Sequence, residues 1–326
     1  MDIELTMCVG SYDINRALLT GEVKPKGIRL ISFTEDSPHR HWRMARHEEF
    51  DVAEFAMAKV TMLGSGGSKP RFQAIPAFPH RRFRHRSVYV TRESELEDLS
   101  QLGGQRIGLR SWQNTTCMWV RGMLQDFYGV DLSTISWVSQ DEEDLELAGS
   151  VPGTFARVPP GRDVFEMLCS GDLDCVIYPE IPRAYLQVDG PVRTLLADPK
   201  KAEISFYQQT GIFPIMHTVV IRSSVLEQYP WVAVNLLDAF RESKDAAFKT
   251  MLNPRSVSLA WFEEARVEQL QTLGADPWRY NFEDNREQLE MMVRWSNEQA
   301  MSAGVPSAAS LFAPSTIDEA PSLVGG

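Results

Sequence analysis

Phe50-Asp51-Val52-Ala53-Glu54-Phe55 reads as a short, largely apolar strand, and residues 56–63 after it read as a helix that runs into a Gly64-Ser65-Gly66-Gly67-Ser68 loop. The same alternation extends upstream. Residues 1–10 alternate like a first strand, Asp13, Asn15 and Arg16 open a helical stretch through Leu18 and Leu19, and Gly21 stops it. Lys24-Pro25-Lys26-Gly27 turns into the strand Ile28-Arg29-Leu30-Ile31-Ser32-Phe33, followed by a helix at His41-Trp42-Arg43-Met44-Ala45. Strands and helices in strict alternation predict an α/β fold with a mostly parallel sheet covered by helices.

Downstream the pattern restarts. Ser87-Val88-Tyr89-Val90 is a strand, an acidic connection follows, and Gly103 to Leu109 looks like the turn and first strand of a fresh α/β unit. Asn114-Thr115-Thr116 caps a helix ended at Gly129, Ile135-Ser136-Trp137-Val138 is a strand, and residues 141–147 are acidic and loop-like. Residues 164–169 form a short helix before the buried strand Asp174-Cys175-Val176-Ile177-Tyr178. Phe213-Pro214-Ile215-Met216-His217-Thr218-Val219-Val220-Ile221-Arg222 is a strongly apolar strand. A helix begins at Tyr229-Pro230 with Ala233, Leu236, Leu237 and Phe240 on one face, and residues 285–300 form a last helix. The stretch 306–326 is small, polar and expected to be mobile at its end.

The 326 residues suffice for two domains, and 24% charged with 43% hydrophobic residues is ordinary for a globular chain. A formal net charge of -11 argues against nucleic acid or an anionic membrane as partner, since both require a broad basic face. The first residues show no positively charged leader before a long apolar run, and no later stretch reaches the roughly 18 apolar residues of a membrane span. A cytoplasmic location is therefore expected. The four cysteines, Cys8, Cys117, Cys169 and Cys175, lack paired metal-ligand spacing and read as reduced thiols.

Within this acidic chain, Phe78-Pro79-His80-Arg81-Arg82-Phe83-Arg84-His85 concentrates positive charge in a loop at a strand entrance. Guanidinium groups offer paired donors matched to a carboxylate or phosphate, and an adjacent imidazole moves protons near neutral pH. The segment predicts a carboxylate site with acid/base chemistry, against the alternative of a solvated basic loop. His39, His41 and His47 lie in a polar stretch expected to be exposed, and they carry no metal expectation. No phosphate loop, nucleophile elbow or dinucleotide fingerprint is present.

Several further segments, taken in order along nearly the whole chain, resemble the 4,5-dihydroxyphthalate decarboxylase family within the type II periplasmic-binding-protein superfamily. They are the Asn15-Arg16 helix, Phe50 to Glu54, Ile75-Pro76 through His85, Trp119-Val120-Arg121-Gly122, Tyr128-Gly129-Val130, Gly171-Asp172-Leu173-Asp174 and Thr210 to His217. Gly274, Asp276, Trp278-Arg279-Tyr280 and Asn285-Arg286 complete the match. The resemblance implies two α/β lobes, residues 1–92 with 222–326 and residues 93–221, joined by two crossing strands near 86–91 and 217–222, with ligand in the cleft between them. It departs from the family at His80, where a serine or threonine is usual, and at Ala53-Glu54-Phe55, where Ser-Glu-Met is usual; these changes bear on the exact substrate.

What the family implies chemically is a carboxy-lyase of aromatic compound catabolism, specifically phthalate degradation, that decarboxylates a hydroxylated aromatic dicarboxylate without redox. A hydroxyl para to the carboxylate pushes electron density to the carbon bearing it, a proton adds there, and carbon dioxide departs. On this expectation His217 and His85 divide the proton work, Glu54 takes the phenolic hydrogen, Arg81, Arg82 and Arg84 hold carboxylates, and Arg121 and Trp119 line the site. No cofactor is expected; a divalent ion at Glu54, His85 and His217 is the one metal alternative. The partner is a small aromatic carboxylate, with no nucleic acid and no membrane, and a homo-oligomer is left open. The rival function is a non-catalytic solute-binding protein for an organic anion, feeding an ABC-type transporter; the expected absence of an export signal favours the enzyme.

Overall fold

A computed structural model describes residues 2–64, 70–187 and 189–317. Most of the expected loop at 64–68 and the tail beyond 317 lie outside the described residues. Eleven strands follow in chain order among the described residues: β1 (Ile3–Val9), β2 (Ile28–Thr34), β3 (Val52–Ala56), β4 (Phe72–Ile75), β5 (Val88–Thr91), β6 (Arg106–Leu109), β7 (Ser136–Ser139), β8 (Thr154–Arg157), β9 (Cys175–Ile177), β10 (Val192–Thr194) and β11 (His217–Arg222). They form two sheets, ordered β2-β1-β3-β11-β4 and β10-β5-β9-β6-β7-β8. The chain groups into two compact units, one of Met1–Arg81, Ile215–Glu290 and Val305–Gly326, the other of Arg82–Pro214 and Met291–Gly304.

In the first unit β1 runs parallel to β2 and β3, while β11 is inserted antiparallel between β3 and β4. All five residues of β3 are buried, and so are the first five of β11, as expected for central strands covered on both faces. The long helix Val232–Thr250 buries Val232, Ala233, Leu236, Leu237, Ala239, Phe240 and Ala247, a 3.6-residue period that supplies one covering face. The helix Ser37–His47 turns Arg40, His41, Met44 and Ala45 inward. The expected helix at 41–45 is its middle; Pro38 in the first turn sets its true start, because proline's missing N–H is harmless there.

In the second unit β6, β7, β8 and β9 are mutually parallel, with β5 antiparallel to β9 and β10 antiparallel to β5. Tyr89, Val164, Leu168, Leu173, Val176 and Val192 form a buried core against this sheet. The helix Thr115–Tyr128 is capped by the Asn114 side chain and ends at Gly129 in the left-handed region. Gly122 on this helix faces the Trp295 indole so closely that a Cβ would collide with the ring.

The lobe boundaries differ from those expected. They fall at 81/82 and 214/215 rather than 92/93 and 221/222, and residues 291–304 join the second unit. The reason lies in strand pairing: β5 hydrogen-bonds wholly within the second sheet and β11 wholly within the first, so each strand belongs to one unit. Three short strands, β4, β8 and β10, and four helices, Arg183–Leu186, Pro199–Thr210, Ser223–Gln228 and Phe262–Leu273, are additional to the sequence reading. β8 is an edge strand with no buried residue and therefore no apolar alternation to read.

Candidate active site

The polar centre of the first unit lies at the carboxyl edge of its parallel strands, where open α/β sheets place their ligands. Glu54 sits in β3, Gly10 follows directly on β1, His80 lies in the segment after β4, and the antiparallel β11 begins at this edge with His217. Glu54 is fully buried. Its Oε1 lies 2.5 Å from His217 Nδ1 and 3.1 Å from Arg40 Nη2 and accepts from the Tyr12 hydroxyl at 3.0 Å; its Oε2 accepts from the Gly10 N–H at 2.7 Å. Arg40 Nε donates to the Glu54 carbonyl at 3.0 Å, and its Nη1 donates to the Glu35 carbonyl, which fixes the guanidinium plane. Gly10 cannot be replaced without cost: a Cβ there would overlap the Tyr12 ring that the turn folds back towards Glu54.

Burial alone would raise the Glu54 carboxyl. The Arg40 charge, the His217 bond and the Gly10 N–H outweigh it and hold the pKa at about 2. An ionised carboxylate only accepts, so the Nδ1 of His217 carries the shared proton and its Nε2 is the exchangeable position. The His217 side chain keeps 8% of its surface exposed beside a fully buried Glu54.

Two more imidazoles pack against His217, both nearly edge-on: His41 at 4.7 Å and His80 at 4.6 Å between ring centroids. His41 is buried, and burial together with the charges of His217, Arg40, Lys59 and His80 pushes it well below its ordinary value of 6.5, so it is a neutral ring at physiological pH. Tyr12 is raised by burial and by Glu54 and remains a donor. The result is a buried carboxylate held ionised, one histidine oriented by it, and a surround of donors and cations.

Of the residues singled out from sequence, Glu54 and His217 are thus brought together. The Glu54 oxygens are already met by four donor groups, where the sequence reading had them accept a phenolic hydrogen. His85 groups with the second unit, where its ring is 1% exposed and packs against Tyr128 and Phe206. Neither ring nitrogen of His85 has a hydrogen-bond partner among the described residues, and burial, then the Arg86 charge, lowers it to about 4. It is a neutral core imidazole within that unit.

The loop arginines divide. Arg81 is buried in the first unit, donating to Asn285 Oδ1 and to the Arg279 carbonyl, with its guanidinium 5.1 Å from the Phe78 ring. Arg84 is buried in the second unit, donates to the Pro179 carbonyl at 3.3 Å, and is lowered by burial and by Arg82 to about 9. Arg82 is half-buried and makes no ion pair among the described residues. Arg121 and Trp119, expected to meet substrate, are both buried within the second unit. Arg121 is fully buried, donates to Gln299 at 2.8 Å and to the Trp112 carbonyl at 2.7 Å, and lies 3.7 Å from the Trp112 ring centroid. Trp119 is 1% exposed and edge-on to Trp295 at 4.9 Å.

Among the described residues, no three His, Cys, Asp or Glu side chains gather as a metal site. The Glu54 oxygens face a guanidinium, a hydroxyl, an N–H and an imidazole, a set suited to an anion and unsuited to a divalent ion. Sequence reasoning missed Arg40, expected His41 to be exposed, noted His80 only as a departure from the family, and missed Tyr12. The signal for the first two was present: a helix started at Ser37 puts residues 40, 41, 44 and 45 on one inward face, which turns an apparently polar histidine inwards.

No protein-family model matches the chain. Among solved structures, it superposes on the periplasmic aliphatic sulphonate binding protein SsuA from Escherichia coli with a TM-score of 0.57 at 12% identity, covering 97% of this chain and 98% of that one. The periplasmic sulfonate-binding protein SsuA from Methylobacillus flagellatus KT gives 0.54 at 13% identity, covering 95% of this chain and 91% of that one. The fold is that of the periplasmic binding proteins, with two sheets of the type II kind. In sequence, the chain is 31% identical over 326 residues to the 4,5-dihydroxyphthalate decarboxylase of Comamonas testosteroni, spanning 97% of this chain and 98% of that protein. It is likewise 31% identical over 214 residues to the enzyme of that name from Pseudomonas putida, spanning 63% and 82%. The chain belongs to the 4,5-dihydroxyphthalate decarboxylase family.

Proposed function

We propose that the protein is a carboxy-lyase that removes one carboxylate from 4,5-dihydroxyphthalate, or a close relative, and releases carbon dioxide and 3,4-dihydroxybenzoate. The observation that supports the chemistry is the Glu54–His217 pair: a carboxylate kept ionised by Arg40 orients and stabilises an imidazolium. His217 delivers its Nε2 proton to the ring carbon bearing the carboxylate, aided by electron donation from the para hydroxyl. The bond from that carbon to the carboxylate then breaks, its electron pair restores the aromatic ring, and neutral His217 recovers a proton from solvent. One proton is added and one carbon dioxide is lost, so the balance requires no oxidant or reductant.

Glu54 positions the imidazole and stabilises its charged form, as a carboxylate does for a catalytic histidine generally. His41 and His80 wall the ring in. No helix among the described residues is long and apolar enough to cross a membrane. We place the protein in the cytoplasm, where its four unpaired cysteines, three of them buried, stay reduced.

Incubating purified protein with a panel of hydroxylated phthalates and benzoates, and following carbon dioxide, tests this reading. Release from a substrate with a hydroxyl para to a carboxylate is expected. Tight binding without turnover across the panel would instead establish a solute-binding protein.

A further inference from the structure

Away from Glu54 and His217, the first unit holds an open cavity of about 570 Å³ between the C-terminal turn of the helix Val232–Thr250 and the helix Phe262–Leu273. That volume lies within the range of small-molecule sites. Phe248, Met251, Leu252 and Leu270 supply its apolar walls. The helix Phe262–Leu273 buries none of its twelve residues, and Leu252 and Leu270 are 71% and 48% exposed. A helix of this length is marginal in water unless an apolar face is covered. Its floor is nonetheless fixed: Lys244, 4% exposed, pairs with Asp276 on the cavity wall and donates to the Trp278 carbonyl. Gly274, in the left-handed region, allows the turn that brings Asp276 there.

The charges on this cavity are unequal in their pairing. Its two acids, Asp245 and Asp276, both lie against Lys244, at 3.9 Å for Asp245. Its two cations, Lys249 and Arg266, have no hydrogen-bonded or ionic partner among the described residues. In a chain of net charge -11, two uncompensated cations flanking an apolar groove favour a ligand with an apolar body and one anionic head.

We propose that this groove is a second ligand site, separate from the Glu54–His217 centre, for an amphipathic monocarboxylate. The apolar body lies along Phe248, Met251 and Leu270, and the carboxylate meets Lys249 and Arg266. Binding would cover the exposed face of the helix Phe262–Leu273 and thereby raise the melting temperature, because a ligand that binds only the folded state stabilises it by mass action.

Decanoate is the probe, titrated by calorimetry against the full chain, with decanol as its neutral counterpart. Saturable 1:1 binding of decanoate is expected, at least tenfold tighter than decanol. The variant Lys249→Glu/Arg266→Glu should weaken decanoate at least tenfold, and Ala275→Trp, which fills the groove, should abolish binding while both variants keep wild-type decarboxylation. Equal binding of decanol, unchanged affinity in either variant, or no binding of decanoate to the wild type at millimolar concentration would each overturn the site. Because the readout is decanoate affinity rather than turnover, failure here is distinguishable from failure of the decarboxylase reading.

Discussion

Replacing Glu54 by glutamine keeps the side chain's volume and removes its charge, and the consequences can be worked out group by group. The carboxylate accepts from or pairs with Arg40, Tyr12, His217 and the Gly10 N–H. A carboxamide has one acceptor oxygen, so its NH2 must face at least one of these donors. Arg40, fully buried, is left without its counter-charge. Removing one partner of a buried ion pair costs about 3–5 kcal/mol, and Glu54→Gln is expected in that range. Arg40→Met should cost a comparable amount, whereas the double variant Arg40→Met/Glu54→Gln should cost less than the sum, with a coupling of about 1–3 kcal/mol. Urea unfolding followed by far-UV circular dichroism measures all three. Turnover should fall in Glu54→Gln beyond what its folded fraction explains, because His217 loses the group that fixes its tautomer. A stability loss below about 1 kcal/mol, or additive costs in the double variant, would refute the buried ion pair as the organising feature of the site.

Further outcomes follow from particular residues. His85 has its pKa lowered to about 4 in the folded protein against an ordinary 6.5, so the unfolded chain binds its proton first and stability should fall as pH drops from about 6.5 to 4; His85→Phe should flatten that slope in urea midpoints measured across the range, and an unchanged slope would contradict the burial. Glu54 adds a second acid loss at lower pH: its folded pKa of about 2 lies below the ordinary 4.5, so its contribution is complete above 4.5 and disappears towards 2, a step that Glu54→Gln should lack. Arg121→Met leaves Gln299 and the Trp112 carbonyl short of a donor, each worth about 1–3 kcal/mol, and should lower the melting temperature while leaving KM unchanged; a raised KM at intact stability would return Arg121 to the substrate site.

Much of the first unit was legible because its strands are short apolar runs separated by glycine and proline turns, as at Lys24 to Gly27 and Phe50 to Phe55. The edge strand β8 was not, since it buries no residue and so carries no period-two signal. Glu54 and His217 drew notice as polar residues on apolar strands, a pattern that costs energy unless each finds a partner. Their partner Arg40 was hidden by where the helix was thought to begin: read from His41, the segment looks polar, whereas from Ser37 it has an inward face. How deeply His85 and Arg121 are packed could not be read from the sequence, because an exposed and a buried side chain present the same letter. What buries them is the packing of Tyr128 and Phe206 around one and of Trp112 and Gln299 around the other. The unit boundaries were displaced for a similar reason, since strand pairing across distant sequence decides which sheet receives β5 and β11.

The central claim is that His217, oriented by Glu54, delivers the proton that replaces the carboxylate. It is tested most directly by single-turnover decarboxylation of 4,5-dihydroxyphthalate by the wild type and His217→Gln, with substrate affinity measured on both by calorimetry. A positioned general acid contributes about 10²- to 10⁴-fold, so the variant should form 3,4-dihydroxybenzoate slower by that order while its Kd changes less than about fivefold. Turnover within about threefold of wild type in a folded His217→Gln protein would contradict the assignment, since removal of the true donor cannot leave the barrier intact.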